Sequence, residues 1–135
     1  MLTGCGAVEV APAADAGAPE CAAVAAAWPE SVEGMDRSAT DPESASTAAW
    51  SSLRDPAIIA RCGVPVPGPT TTECIGADGV DWLAEPLDDG MRFTTYGREP
   101  AIEVLVPDAY APEPLVLGVF RVAGEAAPRV GPGCT

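Results

Sequence analysis

Residues 80–106, VDWLAEPLDDGMRFTTYGREPAIEVLV, decide the fold. Val80, Trp82 and Ala84 alternate with Asp81, Leu83 and Glu85, and a side-chain period of two marks a strand with one face turned to a core. Asp88-Asp89-Gly90 turns the chain, after which Phe93 and Thr95 alternate with Arg92, Thr94 and Tyr96. Gly97-Arg98-Glu99-Pro100 makes a second turn into Ala101 to Val106, where Ile102, Val104 and Val106 share one side. Three strands joined by tight turns predict an antiparallel meander with one apolar face.

Working outward, Ala57 to Val64 and Ser46 to Trp50 read as two more strands, joined by Ser-Ser-Leu-Arg-Asp-Pro. Pro65 to Thr72 reads as a loop, because three prolines and a glycine deny the backbone a regular ladder. Residues 33–47 are polar and turn-rich. Upstream of them Pro19 suits a first helical position, and Cys21, Val24, Ala25 and Trp28 recur at helical spacing, predicting a short helix that ends near Pro29. After the meander, Pro114 opens an apolar stretch to Val122 in which Leu115, Val119 and Val122 fit a helical face, so a helix is favoured over a strand. The expected architecture is α+β: an antiparallel sheet of four or five strands packed against one or two short helices, braced by disulfides. The length suits one domain, at 20–122. Residues 6–19, rich in Ala, Pro and Gly, read as a tether, and 123–135 as a Pro/Gly-rich tail, loose unless Cys134 ties it down.

Residues 1–5 carry a different message. Leu2-Thr3-Gly4-Cys5 has the order of a bacterial lipobox, an aliphatic residue and two small residues before a cysteine. On that reading Cys5 is the first mature residue and bears lipid, and the charged start and apolar run of an export signal are expected upstream of Met1. Membrane attachment then rests on lipid alone, since no apolar run approaches the eighteen or so residues of a spanning helix.

Setting Cys5 aside leaves Cys21, Cys62, Cys74 and Cys134, in a chain with no histidine and no Cys-x-x-Cys spacing to offer zinc a familiar ligand set. Two disulfides are the favoured reading, as in an exported protein. Four cysteines allow three pairings. The preferred set is Cys21 with Cys62 and Cys74 with Cys134.

A formal charge of −13, from twenty acids against seven arginines and no lysine, argues against nucleic acid and against adhesion to anionic headgroups. Without histidine the usual general base and a common metal ligand are missing, and without lysine Schiff-base and P-loop chemistries go too. Carboxylate chemistry survives, through Asp78, Asp81 and Glu85 or through Asp88 and Asp89. The plainer reading is that Asp-Asp-Gly is turn chemistry and that so many acids must cluster somewhere. Calcium at Asp78 and Asp81 lacks the twelve-residue EF-hand spacing, and no cofactor or metal is expected. Arg61 and Arg98 read first as pins between strand and turn. As a ligand site they would form an anion- or carbohydrate-binding patch with Trp50 and Tyr96, Trp82 being better suited to the core.

Several segments in order resemble a known family: Cys21-Ala-Ala-Val-Ala-Ala-Ala-Trp-Pro, Ala49-Trp50, Asp55-Pro-Ala-Ile, Arg61-Cys62-Gly63-Val64, Gly79-Val80-Asp81-Trp82 and Thr94-Thr95-Tyr96-Gly97-Arg98-Glu99-Pro100. The chain is similar, over about residues 20 to 110, to actinobacterial secreted proteins and lipoproteins classed as domain of unknown function 3515. The resemblance implies an exported envelope protein in which the helix cysteine and the Arg-Cys-Gly cysteine accompany one another, in agreement with the Cys21–Cys62 pairing. It implies no reaction, substrate or catalytic residue. Cys74 and Cys134 stand outside its motifs. The resulting expectation is a non-enzymatic binding or accessory module on the extracytoplasmic face of the cell membrane, lipid-anchored, with an envelope protein or wall component as partner. The rival is a carboxylate-dependent hydrolase of a wall glycan.

Overall fold

The computed structural model describes residues 7–134. Among them run β1 (Val8–Glu9), β2 (Ser31–Val32), β3 (Met35–Ser38), β4 (Thr40–Asp41), β5 (Thr47–Trp50), β6 (Ile58–Val64), β7 (Glu73–Ala77), β8 (Val80–Leu87), β9 (Gly90–Thr95) and β10 (Ala101–Pro107). The predicted meander is β8, β9 and β10, and its Asp88-Asp89 turn joins β8 to β9. It forms part of an eight-stranded antiparallel sheet in the order β2-β3-β5-β6-β10-β9-β8-β7, while β1 pairs in parallel with β4 in a second, two-stranded sheet.

Four or five strands was therefore too few. The additional ones are short, and two enter through two-residue turns whose backbones take positive φ: Glu33-Gly34 at 52° and 78°, and Asp78-Gly79 at 52° and 90°. Such mirror-image turns match the twist of the strands they join, so a pairing of two residues can be held in register by the turn itself. No long alternation is needed, and none exists in the sequence to be seen.

One face of the sheet carries the core. Trp50, Ile58, Ala60, Cys62, Val80, Trp82, Phe93, Ile102, Val104 and Val106 lie in it, against Cys21, Val24 and Trp28 of the N-terminal helical segment and Val116, Leu117, Phe120 and Ala123 of the C-terminal one. The polar atoms of two indoles are provided for: Trp50 Nε1 donates to Pro29 O at 2.9 Å and Trp28 Nε1 to Ala45 O at 3.1 Å. Phe120 meets Trp50 edge-on with ring centroids 5.3 Å apart, a geometry that the ring quadrupoles favour.

Helix α1 spans Cys21–Ala26, as its spacing predicted. The C-terminal apolar stretch is also helical, as favoured. Residues 113–120 wind as a 3-10 helix and α2 follows over Arg121–Ala126. Three residues per turn brings Leu117, Phe120 and Ala123 to one side, with Val116 beside them, and swings Leu115, Val119 and Val122 outward to 77%, 49% and 57% exposure. Gly124 lets α2 lie close to β8, since a Cβ there would stand 2.9 Å from a methyl of Val80.

Neither end of the described chain hangs free. Of the expected tether at 6–19, residues 8–18 lie on the domain: β1 pairs with β4, Val10 is buried, Asp15 N–H donates to Gly63 O at 2.9 Å, and Ser46 Oγ donates to Ala16 O. Apart from Val10, main-chain groups of the segment make these contacts, so docking needs few large side chains. The Pro/Gly-rich tail, loose unless Cys134 ties it down, is tied down: α2, Val130 N–H on Gly97 O and the Cys74–Cys134 bond hold it. Ordered contacts thus extend beyond residues 20 and 122 at both ends. Cys5 and the rest of the lipobox lie outside the described residues.

Tyr110 fastens the chain just after β10. Its hydroxyl donates to Pro56 O and touches Met35 Sδ at 3.3 Å. Burial, then the charges of Asp55 and Glu33, push its pKa above the ordinary value of 10.0. The folded state thus holds the phenol proton more tightly, a stabilisation complete below the unfolded pKa and lost as pH rises through the folded one. Tyr110→Phe is expected to cost about 1 kcal/mol at neutral pH, and to lose less stability than the parent between about pH 9 and 11, read from urea melts at both ends.

Candidate functional site

A cleft of about 540 Å³ opens at one end of the sheet, where four stretches of chain meet. Asp15, Gly17, Ala18 and Glu20 form one wall. Val64 and Val66 continue from the end of β6, Glu99-Pro100 comes from the turn before β10, and Pro128 and Val130 from the tail. The volume falls within the range of about 300–1,000 Å³ usual for ligand pockets.

Local features of the chain bring these stretches together. In the pairing of β6 with β10 the register slips, Cys62 opposing Ile102 and Val64 opposing Ala101, so Gly63 is left without a partner. This bulge, at φ 100°, frees its carbonyl to accept the Asp15 N–H. Cys62, one residue earlier, points to the core and is bonded to Cys21 at the start of α1, with Cα atoms 5.8 Å apart. On the far wall, Arg98 is buried and donates from Nη1 to Ala127 O at 2.7 Å, while Glu99 N–H donates to Pro128 O and Val130 N–H to Gly97 O. The Arg-Cys-Gly and Gly-Arg-Glu-Pro segments therefore act as clamps that lay the two chain ends beside the cleft.

Its lining divides by chemistry. Val64, Val66, Pro100, Pro128 and Val130 give an apolar floor and sides, and Asp15, Glu20 and Glu99 stand at the solvent-exposed rim. No basic side chain lines it. None of the three carboxylates has an ion-pair partner among the described residues, whose arginine pairs run Arg61 to Glu103, Arg92 to Glu85 and Glu103, and Arg121 to Glu125.

Trp50, Arg61, Tyr96 and Arg98 do not form a patch. Trp50 on β5 opposes Ile58 and is fully buried, whereas Arg61 on β6 lies an odd number of residues from Ile58 and so projects from the opposite face of the sheet. Arg61 Nε meets Glu103 Oε1 at 2.9 Å and its Nη1 donates to Ala11 O, pinning the N-terminal segment. Glu103 continues the row to Arg92 Nε at 3.4 Å, a charge contact too poorly aligned to count as a hydrogen bond, and Arg92 Nη1 reaches Glu85 at 3.0 Å. This four-residue ladder ties β6, β10, β9 and β8 together across their solvent-facing side. Tyr96 is half-buried beside the Gly97 turn, with its N–H on Asp81 O. Arg98 is sequestered beneath the tail.

The acids first considered for catalysis have structural occupations. Asp81 Oδ2 accepts the Cys134 N–H at 3.0 Å, Glu85 belongs to the ladder, and Asp78, Asp88 and Asp89 sit in turns. Cys74 and Cys134 are bonded, with Cα atoms 5.5 Å apart. The cleft acids went unseen, since Asp15 and Glu20 meet Glu99 only through the Gly63 bulge and the tail clamp. Glu99 alone lay in a segment that sequence had marked.

A family model described as "Protein of unknown function (DUF3515)" matches residues 4–128, and the chain belongs to that family. No curated protein and no solved structure matches it.

Proposed function

We propose that this member of the DUF3515 family is a non-enzymatic accessory protein of the cell envelope, held on the extracytoplasmic face of the membrane by lipid on Cys5. On this reading it presents the acid-rimmed cleft to an envelope protein or wall component. The cleft carries the proposal, being a concave apolar surface with polar groups at its edge. The two disulfides suit an oxidising compartment, and the Leu2-Thr3-Gly4-Cys5 order suits lipidation. Attachment through lipid also fits the described residues, where no helix is long and apolar enough to cross a membrane. Nucleic acid is a poor partner for a chain of charge −13.

Mass spectrometry of the protein expressed behind its native export signal is expected to find diacylglycerol on Cys5. An unmodified amino terminus would remove the anchoring claim. Filling the cleft by Val130→Trp, at an exposed position, is expected to abolish retention of a purified envelope fraction on the immobilised protein while leaving the thermal midpoint unchanged.

One observation favours a second reading, a carboxylate-dependent hydrolase of wall glycan: three carboxylates share the cleft, and a glycosidase needs a pair. Release of reducing ends from purified wall glycan, lost in Glu20→Gln or Glu99→Gln, would favour the hydrolase over the binder.

A further inference from the structure

We infer that the occupant of the cleft is a short basic peptide segment of an envelope partner, with arginine or lysine flanked by aliphatic side chains, an inference that rests on the cleft being the contact surface. Charge complementarity carries the argument. The rim holds Asp15, Glu20 and Glu99 with no lining base, and the chain's net charge of −13 attracts a cation from a distance while repelling anionic polymers. Of the arginines near the cleft walls in sequence, Arg61 is engaged with Glu103 and Arg98 with Ala127 O, while Arg129, between Pro128 and Val130, is exposed and is not part of the lining.

The spread of the acids speaks against a bare metal ion. Among the described residues no three carboxylates or cysteines converge as a metal-holding group. Separated carboxylates instead suit an extended cation, a guanidinium or ammonium on its stem, or two such groups along a segment. The remaining lining asks for an apolar companion. Val66 and Val130 are 40% and 56% exposed, and with Pro100 and Pro128 they offer surface that a peptide's aliphatic side chains would cover. A diamine would satisfy the rim and leave that surface wet. A neutral glycan would leave the rim without a counter-charge.

The test is calorimetric titration of the full chain with a blocked hexapeptide of alternating arginine and valine, beside versions carrying glutamine or glutamate for arginine, or serine for valine. Only the arginine–valine peptide is expected to bind well, its affinity falling as salt rises from about 0.05 to 0.5 M. Asp15→Asn with Glu99→Gln, both at exposed positions, is expected to weaken it about three- to tenfold. Equal binding of the glutamine or serine peptides, no binding of the arginine–valine peptide, or indifference to the double substitution would overturn the inference. Envelope retention separates the two levels. If Val130→Trp abolishes it and the double substitution does not, the cleft is the contact surface and its occupant is not basic. If neither changes it, the cleft is not the contact surface and both readings fall.

Discussion

Alanine at Cys21 or at Cys62 will lower the stability of the domain by about 4 kcal/mol, with equal losses for the two single variants and no greater loss for the pair. The bond joins α1 to the middle of the sheet across a sequence separation of 41, and both residues are almost wholly buried. Opening that loop returns its closure entropy to the unfolded chain, which the chain-entropy model values at about that figure. At roughly 2 cal/mol/K of unfolding entropy per residue, the thermal midpoint should drop by about 15 °C. A single remaining thiol adds little, because a buried free cysteine packs as a small apolar group. Thermal scans of the three variants check this, and strongly additive losses would deny that the two sulfurs act as one bond. The Cys74–Cys134 bond spans 60 residues but should matter less. With Cys134 released, the last few residues can fray while the domain stays folded, so the native state shares in the freedom that the unfolded chain gains.

How much of this molecule could be read from its residues depends on where the information sits. The meander was legible because Val80, Trp82 and Ala84, then Ile102, Val104 and Val106, write the period of a strand directly, with turn residues between. The helix at Cys21 was legible for the same reason. Strands β2, β3 and β4 were not, because pairings of two to four residues are held by the Glu33-Gly34 turn and by neighbours remote in sequence. At Leu115, Val119 and Val122 the spacing marks a helix but not its inward side, since 3-10 winding turns these three residues outward and Leu117 and Phe120 inward. In sequence alone Trp50 reads equally as a ligand platform, because an indole suits both core and surface. Only its partner strand decides, and Ile58 opposite it is fully buried. The cleft was the least visible feature: Asp15, Glu20, Glu99 and Val130 meet through backbone hydrogen bonds and one bulge, which leave no pattern of residue types behind.

That bulge gives the second large effect. Gly63→Ala is expected to cost about 3–4 kcal/mol, lower the thermal midpoint by about 10–15 °C, and release the N-terminal wall of the cleft. Two causes act at once. At φ 100° a Cβ is strained wherever it points, worth about 1–3 kcal/mol. Here it also points into main chain, 2.4 Å from the carbonyl carbon and oxygen of Asp15 and 2.7 Å from the nitrogen of Ala16. Backbone cannot rotate aside as a side-chain end can, so residues 15 and 16 must lift away. Lifting breaks the Asp15 N–H bond to Gly63 O and the Ser46 Oγ bond to Ala16 O, each contributing about 1 kcal/mol. Gly17 is the control two residues along the same wall: its φ is ordinary and nothing lies within 4 Å of a Cβ there, so Gly17→Ala should leave stability within about 0.5 kcal/mol or raise it slightly. Limited proteolysis should then cut Gly63→Ala between residues 11 and 17 far faster than the parent or Gly17→Ala, and the arginine–valine peptide should lose affinity for it because Asp15 and Glu20 no longer face Glu99. A Gly63→Ala protein as stable and as resistant as the parent would mean that the N-terminal segment does not rest on β6, and the cleft would lose the wall on which its reading as a site depends.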